Sequence, residues 1–175
     1  MNKSFKDKKA QVWVETVVYT LIALVLIGAV LAFVNPKIQE IQDRTAIEQS
    51  LTVLNNIDGI VSTVVQGGGN KRIVSVGIKK GTIEINGVGN YIVFSIDSEY
   101  EYSQTGEKVN IGKIVSLTER SGSINRITLN LSYSNYDIKV NSEDESKILT
   151  QAPNPYSISI ENKGGAGPVL DFVVS

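Results

Sequence analysis

The sequence predicts an α+β protein. A long N-terminal hydrophobic helix continues into an amphipathic helix, and the amphipathic helix packs on an antiparallel β-sheet. Three observations support this prediction. Residues 16–34 form an uncharged run of nineteen residues, nearly all of them apolar. Apolar residues then recur at helical spacing over residues 36–66. From Lys71 onward they alternate with polar residues, which is the period of a β-strand.

The apolar run is long enough to cross the ~30 Å hydrocarbon core of a bilayer as a helix. Residues 1–10 contain four lysines and one aspartate. Basic residues before a span favour a cytoplasmic N-terminus, with the following domain outside. Three interpretations of this region are open: a secretory signal peptide cut after residues 30–32, a permanent single-pass anchor, or a leader cut off ahead of the run.

The third interpretation is favoured by residues 8–11 (KKAQ) and by Glu15 just inside the apolar run. This combination resembles the class III signal peptide of archaeal type IV pilin-like proteins. The resemblance implies that a prepilin peptidase cleaves between Ala10 and Gln11, which makes Glu15 the fifth residue of the mature chain. Trp13 departs from the pattern, because many such archaeal proteins have serine at the third mature position.

Glu15 is the acidic residue at the start of the apolar run. A lone carboxylate there costs about 2–3 kcal/mol unless it is paired, so it is a functional candidate. If Gln11 becomes the N-terminus, its new amino group lies about one helical turn away. The resemblance implies that Glu15 assists assembly by pairing with the amine of a neighbouring subunit. Such a buried pair would set the register between subunits more than it would add net stability.

The apolar run ends at Asn35 and Pro36. Because proline lacks an N–H, it loses the bond to the Ala32 carbonyl, and we expect a kink or break at Pro36. The helical pattern resumes over residues 36–66, and the glycines at 67–69 end it. One stripe of this helix is predicted to face the sheet: Ile47, Leu51, Leu54, Val61 and Val65. Ile38 and Ile41 fall on the opposite side and are expected to face other helices.

Residues 67–175 are predicted to form a single antiparallel sheet of about six to eight strands. Three apolar runs with glycine-containing turns over residues 74–96 are expected to form a meander. Residues 127–133 show the clearest alternation, with one buried and one polar face. Residues 158–160 and 169–174 are predicted to be the last two strands, on either side of a glycine-rich loop.

The 175-residue chain contains no cysteine and no histidine. This excludes thiol chemistry, disulfides, histidine-ligated metals and histidine-based catalytic triads. No spacing of carboxylates or of serine and lysine stands out as an active site, so we expect a non-enzyme without metal or cofactor. The net charge of −1 offers no basic field for nucleic acid. The acidic residues 143–145 lack the spacing of a calcium loop and are interpreted as a solvated turn.

Asn130 begins an acceptor sequence for N-glycosylation, Asn130-Leu131-Ser132. Asn130 and Ser132 both fall on the polar face of their predicted strand, because alternate residues point to the same side. We therefore take Asn130 as a candidate modification site.

These features predict a structural subunit of a type IV pilus-like surface filament. Residues 1–10 are the leader, 11–35 the transmembrane and later filament-core helix, 36–66 the amphipathic helix and 67–175 the extracytoplasmic β domain. The resemblance implies four kinds of partner: further pilin subunits, the prepilin peptidase, a pilus assembly ATPase and a membrane platform protein. The alternative is a monomeric membrane-anchored binding or adhesion module, which needs neither cleavage nor a role for Glu15.

Overall fold

The computed structural model describes residues 4–165 and 167–175, with side chains described for residues 12–165 and 167–175. Its first element is helix α1 (Ser4–Val64), which has 61 residues. The helix passes through Pro36 without interruption, so the predicted break is wrong, whereas the kink stays a prediction. The proline removes one hydrogen bond, and the flanking turns supply enough others to maintain the helix.

The chain divides into two compact units, Met1–Gln39 and Glu40–Ser175. In the first unit, every side chain of residues 12–39 is exposed. Among the described residues, α1 is the one helix long and apolar enough to cross a membrane. The most apolar stretch of 18 residues in this helix has a mean hydropathy of 2.8, and none of these residues is buried. By length and composition, this helix meets the requirement for a single N-terminal membrane span.

The second unit contains the C-terminal part of α1 and all of the described strands. The name β domain is used from here on for this whole unit, Glu40–Ser175. The strands are β1 (Lys71–Val76), β2 (Thr82–Asn86), β3 (Tyr91–Ser98), β4 (Lys108–Ile111), β5 (Ile114–Ser121), β6 (Ile124–Ser132), β7 (Asp137–Val140), β8 (Ser146–Leu149), β9 (Tyr156–Asn162) and β10 (Val169–Val174). The last two strands lie where the sequence predicts them. Strand β8 was not predicted, because only Leu149 of its four residues is buried and no alternation is visible.

The strands form two sheets, so the prediction of a single sheet is wrong. Six strands pair in the order β4-β5-β6-β3-β2-β8 and four in the order β1-β9-β10-β7. All neighbours are antiparallel except β10 and β7, which are parallel. Strand β1 leaves the predicted meander and pairs with β9, Lys71 lying opposite Glu161. Alternation identifies the apolar face of a strand but not its neighbour, which is why the sequence does not reveal this division.

Helix α1 and both sheets share one hydrophobic core. The helix contributes five almost fully buried side chains: Ile47, Leu54, Ile57, Val61 and Val64. Ile47, Leu54 and Val61 confirm the predicted stripe, whereas Leu51 and Val65 are only half-buried. The architecture is therefore α+β, with a helix packed on largely antiparallel sheets, as the sequence predicts.

Candidate functional site

The candidate site is the apolar segment, defined as residues 12–34 of α1. Every side chain in it is exposed, and the large ones include Trp13 (71%), Tyr19 (71%) and Phe33 (80%). A helix that is apolar on all sides and has no protein core around it requires another apolar environment, either lipid or other helices. The apolar segment is therefore the part of the chain that most needs a partner.

Two hydroxyl groups in the apolar segment are satisfied within the helix itself. Thr16 Oγ1 donates to the Val12 carbonyl at 2.9 Å, and Thr20 Oγ1 donates to the Thr16 carbonyl at 2.8 Å. Because neither group needs water, both threonines are compatible with a hydrocarbon environment. Glu15 is the charged residue of the segment, and its side chain is exposed on the helix surface.

The predicted cleavage site lies just before the apolar segment. The backbone of Ala10 and Gln11 belongs to α1, but their side chains lie outside the described residues. Cleavage between them therefore stays a prediction.

The packed part of α1 contains a buried carboxylate, Asp43, which is 2% exposed. It forms an ion pair with Lys80 from the turn between β1 and β2, and it accepts a hydrogen bond of 2.7 Å from Ser98 Oγ at the end of β3. The Ser98 hydroxyl in turn accepts the Tyr100 N–H at 2.9 Å. These bonds satisfy the buried charge and tie the helix to two separate parts of the β domain.

A second carboxylate, Asp58, lies further along the same helix. It accepts Lys113 Nζ at 2.9 Å from the turn between β4 and β5. Tyr133 lies buried nearby, and among the described residues its hydroxyl has no partner within hydrogen-bond geometry. Burial raises the pKa of the Tyr133 phenol far above its usual range, and the Asp58 carboxylate raises it further.

The C-terminus of α1 is held by Asn162, a buried residue of β9. Its side-chain amide donates to the carbonyls of Val64 at 3.3 Å and Gly67 at 3.2 Å. Its backbone carbonyl accepts the Gly69 N–H at 2.7 Å. The last carbonyls of a helix lack partners within the helix, and here a strand distant in sequence supplies a donor to that of Val64.

The other predicted sites lie on the surface of the β domain. Asn130 is half-buried two residues before the end of β6, and Ser132 at that end is exposed. The acidic turn at residues 143–145 includes Asp144, whose carboxylate pairs with Lys139 at 2.5 Å. Within the part of the chain that the structure describes, no group of three acidic, histidine or cysteine side chains could hold a metal ion.

Sequence reasoning missed Asp43, Asp58 and Asn162. A signal for the two aspartates was present, because Asp43 lies four residues before Ile47 and Asp58 four residues after Leu54. That spacing places each on the apolar stripe, where a charge requires a partner. Asn162 had no such signal, since it meets the helix 98 residues away in sequence.

No protein-family model matches this chain, and no curated protein or solved structure matches it either. The function is therefore argued from the residues and their geometry.

Proposed function

We propose that this chain is a structural subunit of a type IV pilus-like surface filament. The apolar segment first holds the protein in the membrane with the β domain outside. After cleavage between Ala10 and Gln11, the apolar segments of many copies pack together in the filament core. The observation that carries this proposal is that residues 12–34 are apolar and exposed, while the β domain has a core of its own without them.

The energetics of assembly depend on the environment that the apolar segment leaves, which in this proposal is lipid. Apolar surface gains ~25 cal/mol per Å² on leaving water, but lipid already provides most of that gain. Moving from lipid into a helical core replaces lipid contacts with side-chain packing, which is a much smaller driving force. Assembly therefore needs work from outside, and an ATPase acting through a membrane platform is the partner class that would supply it.

Glu15 has a defined role in this proposal. In the filament core, a carboxylate without a positive partner would carry a large desolvation cost. The amino group created at Gln11 on a neighbouring subunit is the partner that cleavage provides. Correct register would then be favoured, because subunits out of register leave both charges buried and unpaired.

The mature N-terminus tests the proposal most directly. Intact-mass spectrometry of the protein from its own membranes should give a chain that starts at Gln11. A chain that starts at Met1 or Asn2 would contradict the proposal and favour the anchored module. A chain that starts at Phe33 would indicate a secreted domain.

A matched pair of substitutions extends the test to assembly. Ala10→Leu should block cleavage, leave the protein in the membrane fraction and abolish surface filaments seen by electron microscopy. Ala29→Leu makes the same change at an exposed position inside the apolar segment, and it should be processed normally. Filaments formed by uncleaved Ala10→Leu protein would contradict the proposed sequence of events.

A further inference from the structure

The six-stranded sheet has an outer face to which Asn130 belongs. On β6, Asn125, Ile127, Leu129 and Leu131 point into the core, and the alternate side chains point away from it. The outer face is described here by the half-buried outward residues around Asn130 on three adjacent strands, β5, β6 and β3: Val93, Ser95, Val115, Leu117, Thr128 and Asn130. All six are half-buried. This part of the face is thus partly apolar, and Asn130 lies between Val93 and Val115.

The residues paired directly with Asn130 across the sheet have small side chains. It lies opposite Val93 on β3 and Val115 on β5, and Thr128 precedes it on the same face. All three are small β-branched residues, and the larger side chains Tyr91 and Leu117 lie one residue pair away, opposite Ser132 and Thr128. Ser132, the third residue of the acceptor sequence, is exposed at the end of the strand.

The Asn130 amide is also not engaged within the fold. Among the described residues, no side chain or backbone group forms a hydrogen bond with it. Asn125, on the inward face of the same strand, differs in that it is buried and donates to the Glu99 carbonyl at 3.4 Å. The side-chain amides of Asn86 and Asn162 are likewise used as internal donors. The asparagine of the acceptor sequence therefore has its nitrogen free of these structural roles.

We propose that Asn130 carries an N-linked glycan that covers the outer face of the six-stranded sheet. The sugar donor would be an oligosaccharide joined through phosphate to a membrane lipid. Asn130 Nδ2 bonds to the anomeric carbon of the first sugar, and the bond from that carbon to the phosphate oxygen breaks. The lipid phosphate leaves with the electron pair, and the amide gives one proton to a base of the transferase.

The first sugar would lie over Val93 and Val115. Its ring carries C–H groups that contact aliphatic side chains, while its hydroxyls face water, so it shields the half-buried aliphatic groups from solvent. In a filament this face would then point outward, because a glycan prevents close packing with a neighbouring subunit. That last step rests on the proposed function, whereas the modification itself does not.

The test is mass spectrometry of the tryptic peptide that covers residues 127–139, from protein purified out of its own membranes. The wild-type peptide should carry the added mass of one or more sugars. Asn130→Gln and Ser132→Ala should both lose it completely, the second while keeping the asparagine. Ser132→Thr preserves the acceptor sequence and should keep the same added mass.

Two results would overturn the glycan. One is an unmodified wild-type peptide, and the other is an added mass that survives Ser132→Ala. The intact mass of the same samples reports the mature N-terminus separately. A glycosylated chain that still starts at Met1 would contradict the filament subunit and leave the glycan standing, whereas an unmodified chain that starts at Gln11 would do the reverse.

Discussion

Helix α1 has two apolar stretches with opposite surroundings. In the apolar segment every side chain is exposed, whereas Ile47, Leu54 and Ile57 further along are completely buried. Both stretches are helical and rich in aliphatic residues, so helix propensity does not distinguish them. The difference is that two sheets cover one stretch and nothing within the described chain covers the other. Apolar residues in the first stretch must therefore be explained by contacts outside the chain.

Two acidic residues of α1, Asp43 and Glu15, also differ in whether they are buried or exposed. Asp43 is buried and has partners from the β domain, while Glu15 is exposed within a segment suited to lipid. One carboxylate thus serves the fold, and we propose that the other serves assembly. Matched substitutions in the two stretches can test this division.

The largest effect is expected for a charge placed among the apolar residues. Leu54→Asp buries a carboxylate at a completely buried position and should cost about 4 kcal/mol or more, enough to remove the cooperative thermal transition of the β domain. Leu24→Asp, at a position that is 64% exposed, should leave that transition unchanged. It should instead reduce the membrane-bound fraction, because aspartate at a span centre costs about 2.5–3.5 kcal/mol. A lower melting temperature for Leu24→Asp would contradict the claim that the apolar segment does not contribute to the stability of the β domain.

A smaller effect is expected for the acidic pair. Asp43→Ala leaves the Ser98 hydroxyl without its acceptor and Lys80 without its partner, and should destabilise the β domain by about 2–3 kcal/mol in denaturant unfolding. Glu15→Ala should leave that stability unchanged and prevent filament formation. Arg44→Ala is the control beside Asp43, because its pair with Glu48 is exposed to solvent and contributes little to stability. Normal filaments from Glu15→Ala would show that the carboxylate has no role in assembly.

The smallest effect concerns pH. Burial raises the pKa of Tyr133 in the folded state, so its contribution to stability is fully present below the unfolded pKa of about 10 and is lost as pH rises above it. The free energy of unfolding should fall by up to about 1.4 kcal/mol per pH unit in that range. Tyr133→Phe should flatten this dependence. Tyr19→Phe, in the exposed apolar segment, should not, and an unchanged slope for Tyr133→Phe would contradict the assignment.

Local pattern predicted most of the elements but not their arrangement. The spacing of apolar residues over a few helical turns predicts the apolar segment and the buried stripe of α1. Alternation over a few residues predicts strands β3, β6, β9 and β10. Periodicity does not reveal the division into two sheets, because the end of β1 at Val76 and the start of its partner β9 at Tyr156 are 80 positions apart in sequence. Pairing at that distance leaves no trace in local alternation.

Strand β5 shows how tertiary contacts can invert a pattern. Its apolar Val115 and Leu117 lie on the outer face, while Ser116 and Thr118 are completely buried. Thr118 Oγ1 lies 2.7 Å from Ser103 Oγ and accepts the Ser103 N–H at 3.3 Å. The loop before β4 thus supplies polar partners that make burial of a threonine acceptable. Composition alone assigns this strand to the wrong face.

The bonds from Asn162 to the end of α1 set the order in which the protein can mature. A ribosome releases the helix before β9, so the Val64 carbonyl at the helix end lacks the donor that Asn162 provides until residue 162 has been synthesised. Strand β1 likewise waits for β9, and the backbone of Ser175 closes the domain by exchanging hydrogen bonds with Ser157. Synthesis that stops before β9 would therefore yield an unfinished β domain behind an intact apolar helix, a product for proteolytic quality control to recognise. Synthesis of β9 is thus a condition for the helix end and β1 to gain their partners.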